Sequence, residues 1–236
     1  AVFAVRRLSR ISDAFSHSVQ GDAPHRPLGG GIFAGMTHTL RSPYLLAIAF
    51  FILIYAVTST FLYFQQAEIA AANFPSRAAR TAFFANIDWW VNALTLGIQL
   101  FLTGRLMGWI GVAAMLSILP ALSAIGFGAL ALAPTVAVFV AVQVARRVSN
   151  FALARPTREV LFTSVPREDR YKAKNFIDTV VYRGGDQVAA WTYGGLIALG
   201  LTMAGIATVA VPLSLAWLGL SWWLGRQQET REKAGA

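Results

Sequence analysis

From Tyr44 to Phe64 the chain runs for 21 residues without an aspartate, glutamate, lysine, arginine or histidine. Wound as a helix, a run of that length crosses roughly 30 Å of hydrocarbon. Inside a bilayer a segment must satisfy its own backbone hydrogen bonds, and apolar runs of about 20 residues rather than 10 point to helices, not barrel strands. A chain of 236 residues is long enough for one large soluble core, but only 13% of its residues are charged. Soluble domains carry about 25%. The expected fold class is therefore an all-α membrane protein.

Hydropathy and turn residues place six transmembrane helices near 43–66, 83–104, 110–131, 135–162, 175–199 and 203–225. Residues 1–42 read as the end of a preceding helix followed by a cytoplasmic loop, 43–225 as the six-helix bundle, and 226–236 as a cytoplasmic tail. The chain opens on Ala1-Val2-Phe3-Ala4-Val5 and then Arg6-Arg7, the reverse of a secretory signal. That order suits the end of an earlier membrane helix, and so a C-terminal piece of a longer protein. Leu8, Ile11, Phe15 and Val19, and then Phe33, Met36 and Leu40, follow helical spacing. They suggest two short surface helices joined by a linker from Gly21 to Gly31. Gly97, Gly126, Gly128, Gly194, Gly195 and Gly205 recur within the spans, where small residues let helices approach.

Lysine and arginine set the orientation. With residues 1–42 inside, thirteen basic residues fall on the cytoplasmic side and only Arg77 and Arg80 on the other. That bias puts both ends in the cytoplasm. The net charge of +9 is then a topological signal. No stacking motif or finger spacing makes it a nucleic-acid footprint.

Against this background the stretch from Val144 to Asp186 is anomalous. It carries Arg146, Arg147, Arg155, Arg158 and Arg183, with Glu159, Asp178 and Asp186, inside two membrane-like segments. An arginine at mid-bilayer costs roughly 2.5–3.5 kcal/mol on an insertion scale. Five cannot face lipid, so they face protein or a water-filled cavity, and a basic cavity suits an anionic solute. On an ideal helix Arg147 and Arg158 lie about 20° apart, flanked by Asn150 and Arg155. Pro156 removes a backbone hydrogen bond and predicts a kink near Ala152. In the next span Asp178, Tyr182 and Asp186 follow i, i+4, i+8, and Arg183 can pair with Asp186. The same acids and arginines can also form structural pairs between helices. Arg146 and Arg147 have fewer matching acids, which favours a lumen role for them. Asp88, Asn92, Thr95 and Gln99 share a face of the second span, and Tyr55, Ser59 and Gln66 one of the first. Both are candidate cavity linings, although Asp88 beside Trp89-Trp90 also fits the outer interface.

Catalytic patterns are missing from the sequence. His17, His25 and His38 lack the paired spacing of a metal site, there is no cysteine, and neither a nucleophile elbow nor a Walker loop occurs. The expectation is a protein that is not an enzyme, with no cofactor.

Two segments carry a resemblance. Phe151-Ala152-Leu153-Ala154-Arg155-Pro156-Thr157-Arg158-Glu159 resembles the Asp-Pro-Thr-Lys-Glu segment of the ATP/ADP translocase-type nucleotide transporters. These are the bacterial and plastid family with a major facilitator fold, not the mitochondrial carrier. Lys172, Lys174 and Asp178, with Gly184-Gly185, are similar to that family's Lys-x-Lys-x-x-x-x-Asp…Gly-Gly pattern. Arg155 stands where the family has an aspartate, a charge reversal that bears on which nucleotide or anion is taken. The resemblance implies the C-terminal half of a twelve-helix transporter in a bacterial inner membrane, working by alternating access on a nucleotide. It implies that residues 6–42 form the central loop, that an N-terminal six-helix half is the partner, and that Arg147, Arg155 and Arg158 clamp phosphate oxygens. Asp178 or Glu159 would then pair with an arginine when substrate is absent. The competing readings are a facilitator of another organic anion, a membrane enzyme for phosphorylated lipid, and a non-transporting assembly partner.

Overall fold

A computed structural model describes residues 34–235. The segment from Leu8 to Val19, the linker, His17 and His25 lie outside the described residues. A short helix, α1 (Ala34–Arg41), precedes six long ones: α2 (Pro43–Asn73), α3 (Arg77–Phe101), α4 (Thr103–Leu132), α5 (Val136–Leu161), α6 (residues 167–198) and α7 (Met203–Gly235). Four of them, α2, α4, α5 and α7, are long and apolar enough to cross a membrane. The other two, α3 and α6, carry more polar residues along their length.

Local chemistry starts these helices where they start. Ser42, Ser76 and Thr135 each turn a hydroxyl back to accept from a first-turn amide, those of Leu45, Ala79 and Val138, and Pro43 occupies the first turn of α2. The Tyr44 hydroxyl donates to the Leu161 carbonyl at 2.9 Å, tying the start of α2 to the end of α5. Around α2 the apolar core forms two clusters. One holds Tyr44, Ile48, Phe162 and Trp217, the other Phe61, Phe127, Phe139 and Tyr193.

Close helix approach depends on fewer glycines than the sequence suggests. Of the six expected, only Gly126 is tightly packed, its notional Cβ 2.6 Å from Val142. Gly97, Gly128, Gly194 and Gly195 face open space, and Gly205 has only ordinary contact. The tight positions are elsewhere. Gly185 of α6 meets Leu53 and Ala56 of α2, and Gly225 of α7 lies against the Ala113 backbone of α4. Gly35 of α1 sits on the Lys172 carbonyl of α6. With lipid as solvent, such van der Waals contact is a main source of helix association.

From residue 226, where a tail is expected, the chain continues as the last turns of α7. Gln228 is fully buried and donates to Thr163 at 3.3 Å. Glu229 answers a break in α4, where Gly111 has φ 76° and leaves the helical ladder. The freed Ala113 amide donates to the Glu229 carboxylate at 3.4 Å. At about 50 Å, α7 exceeds the hydrocarbon thickness, so these polar turns extend beyond the core.

The kink expected near Ala152 takes the form of a π turn, Asn150–Ala154. Its cause is Pro156, which has no amide to give the Ala152 carbonyl. The Arg155 amide reaches back five residues to Asn150, so the Phe151 carbonyl also loses its α-helical partner. Neighbouring side chains satisfy both. Thr103 donates to the Ala152 carbonyl at 2.8 Å and Gln99 to the Phe151 carbonyl at 3.0 Å. A second π turn, Ile177–Val181, interrupts α6.

Candidate anion-binding site

Arg146 is the most unusual side chain among the described residues. It is 4% exposed and stands in the middle of the bundle. Nε donates to Ser123 Oγ at 2.8 Å, Nη1 to Ser59 Oγ at 3.2 Å, and Nη2 to Thr58 Oγ1. The guanidinium also lies over the Tyr55 ring, 5.6 Å from its centroid. These partners come from α2 and α4, and all are neutral. Among the described residues no carboxylate pairs with Arg146. A buried charge held only by neutral groups keeps much of its desolvation cost, and an arriving anion relieves it.

Arg146 lines a cavity of ≈ 660 Å³ between α2, α5 and α6. From the sequence-derived set, Tyr55, Arg147, Asn150, Tyr182, Arg183 and Asp186 line the same cavity. Asn150 donates its amide to the Tyr55 hydroxyl at 2.9 Å, and the Tyr55 and Tyr182 rings stand 6.0 Å apart. Asp186 accepts from Thr60 at 3.3 Å and lies 4.0 Å from Arg183, whose side chain is 81% exposed. Arg147 is committed elsewhere, 2.6 Å from Asp88 of α3. Asp88 thus links α3 to α5 and lines neither this cavity nor the one between those two helices.

A second cavity, ≈ 640 Å³, lies between α3 and α5. It collects Asn92 and Gln99 with Arg155, Arg158 and Glu159. Its charges are largely matched. Arg158 is 3.3 Å from Asp178, Glu159 pairs with Lys174, and Arg155 stacks over the Phe151 ring at 4.8 Å. Asp178 lines neither cavity. The expected clamp of Arg147, Arg155 and Arg158 is thus divided: Arg147 faces the first cavity, and Arg155 and Arg158 the second. The physical reason is the π turn between them, which adds about one residue to a turn and shifts the helical phase that an ideal helix assumes.

Sequence reasoning did not reach Thr58 and Ser123, which hold Arg146, nor Thr60, Tyr63, Phe64 and Gln143 on the cavity wall. The run Thr58-Ser59-Thr60 within an otherwise apolar span was a readable signal. Ser123 was not, because only packing brings α4 to α5.

The chain is similar to chlamydial ADP,ATP carrier proteins. It is 23% identical to ADP,ATP carrier protein 1 of Chlamydia trachomatis serovar D over 206 residues, covering 77% of this chain and 39% of the carrier. The protein of the same name from Chlamydia pneumoniae is 23% identical over 75% of this chain and 39% of its own length. That of Chlamydia muridarum is 23% identical over 69% and 35%. This chain therefore spans about two fifths of the length of the curated relatives it matches. No family model matches it, and no solved structure matches significantly. The likeness is weak and extends over three quarters of the chain, and four of its helices are long and apolar enough to cross a membrane.

Proposed function

We propose that this chain is the C-terminal six-helix half of a secondary transporter with a major-facilitator-type bundle, carrying an anionic solute of the nucleotide class by alternating access. The observation that carries this reading is Arg146: buried, without an acid partner among the described residues, and open to a cavity of ≈ 660 Å³. Guanidinium and phosphate form short, charge-assisted hydrogen bonds, bidentate where geometry allows. The likeness to ADP,ATP carrier proteins supports a nucleotide as the anion. The exposed polar residues of α3 and α6, among them Asp88, Asn92 and Arg183, support a second bundle that covers them from lipid. In this reading both chain ends are cytoplasmic, α3 and α6 are the remaining two spans, and the membrane is the bacterial inner membrane.

Helix interruptions supply the mobility. The π turns in α5 and α6 lie beside the ion pair of Arg158 and Asp178, where each helix can bend without losing its whole ladder. The test is uptake of labelled ADP into proteoliposomes containing the full chain of the native protein. Unlabelled ADP and ATP are expected to compete, and dicarboxylates and sugar phosphates to compete poorly. Uptake of another organic anion that nucleotides do not inhibit would show the substrate class to be wrong.

A further inference from the structure

The two cavities meet at one residue. Phe151 lines both, at the π turn that separates them. The first cavity has an unmet demand for negative charge at Arg146. In the second that demand is smaller: Glu159 lines it, its arginine Arg158 already faces Asp178, and Arg155 is exposed to solvent, its guanidinium over the Phe151 ring. A polyanion entering the second cavity would meet a carboxylate. What this cavity offers instead is a stacking surface and a mixed hydrogen-bonding edge. Asn92 contributes an amide, and the Thr95 hydroxyl is buried without a partner. An aromatic ring and a guanidinium plane are surfaces on which nucleobases stack, and amides and hydroxyls can read a base edge.

The spacing agrees. Arg146 and Arg155 are nine residues apart on α5, about 13 Å along the axis. An extended nucleoside diphosphate covers that distance and inorganic phosphate does not. We infer that the two cavities are subsites of one nucleotide site, the phosphates held at Arg146 and the base stacked against Phe151 and Arg155. Asn92 and Thr95 then determine which base is accepted. This assignment rests on the nucleotide reading above and adds the direction in which the ligand lies.

The experiment uses the reconstituted protein and two probes, ADP and inorganic tripolyphosphate. Phe151→Leu is expected to weaken ADP about tenfold and leave tripolyphosphate unchanged, because the ring and the Arg155 guanidinium placed over it both belong to the base subsite. Arg146→Gln is expected to weaken both. Asn92→Ala, at an exposed position that does not hold the fold, is expected to alter the ratio of ADP to GDP affinity and leave tripolyphosphate alone. Equal weakening of both probes by Phe151→Leu, or an Arg146→Gln protein that still binds tripolyphosphate normally, would overturn the subsite assignment while ADP binding by the unaltered protein stands. An unaltered protein that binds tripolyphosphate but no nucleotide would overturn the nucleotide reading itself.

Discussion

Arg146→Met is expected to reduce nucleotide affinity by at least a hundredfold while leaving the thermal stability of the bundle unchanged or raised. The two halves of that result come from one fact. Arg146 is buried among hydroxyls, and among the described residues no acid offsets its charge. Each hydrogen bond from a charged group to a phosphate contributes about 1.5–3 kcal/mol, and two of them exceed the roughly 2.7 kcal/mol of a hundredfold change. Removal of the same guanidinium relieves a desolvation cost of several kcal/mol. Methionine is unbranched and fills irregular space. Of the three hydroxyls left behind, Thr58 donates to the Ile54 carbonyl and Ser123 to the Leu119 carbonyl, both at 2.8 Å, and Ser59 lines the cavity. A melting curve and a binding isotherm on one preparation check both halves. A variant that binds normally but melts early would make Arg146 a structural residue.

The largest structural effect is expected at Gly225. A Cβ built there falls 2.1 Å from the Ala113 Cα and 2.6 Å from its nitrogen, in both cases backbone that cannot swing aside. Gly225→Leu must therefore push α4 and α7 apart along the contact that joins them. Overpacking costs about 1–3 kcal/mol and occasionally more. Here it also strips Glu229 from the Ala113 amide at the Gly111 break. The expected outcome is loss of monodisperse protein in detergent, or a melting transition lowered by about ten degrees. Gly128→Ala, where a Cβ meets nothing within 4 Å, serves as the contrast and should melt as the unaltered protein does. Indistinguishable melting of the two variants would mean that the α4–α7 contact contributes little to stability.

These two positions show what the sequence makes legible. Apolar runs and turn residues located the long helices, with ends that differ by up to ten residues, because span length is a local property. The surplus of arginines over acids near Val144 was also readable, since charge balance needs no coordinates. Which arginine stays unpaired was not. Arg147 finds Asp88 fifty-nine residues away, and Arg146 is held by Ser123 and Thr58 from two other helices. The π turn was half visible: Pro156 announced a lost hydrogen bond, but helical-wheel angles assume 3.6 residues per turn and put Arg147 and Arg158 on one stripe. Glycines misled for a related reason. A small residue signals possible contact, and only the packed bundle distinguishes Gly225 and Gly185 from Gly194 and Gly195, which face open space.

The most direct measurement is a pair of equilibrium titrations of the reconstituted protein, one with ADP and one with adenosine. If the site is built around an arginine awaiting an anion, ADP binds saturably and adenosine at least a hundredfold more weakly, with the difference narrowing when Arg146 is replaced. Equal affinity for the two ligands, or binding of neither, would contradict it.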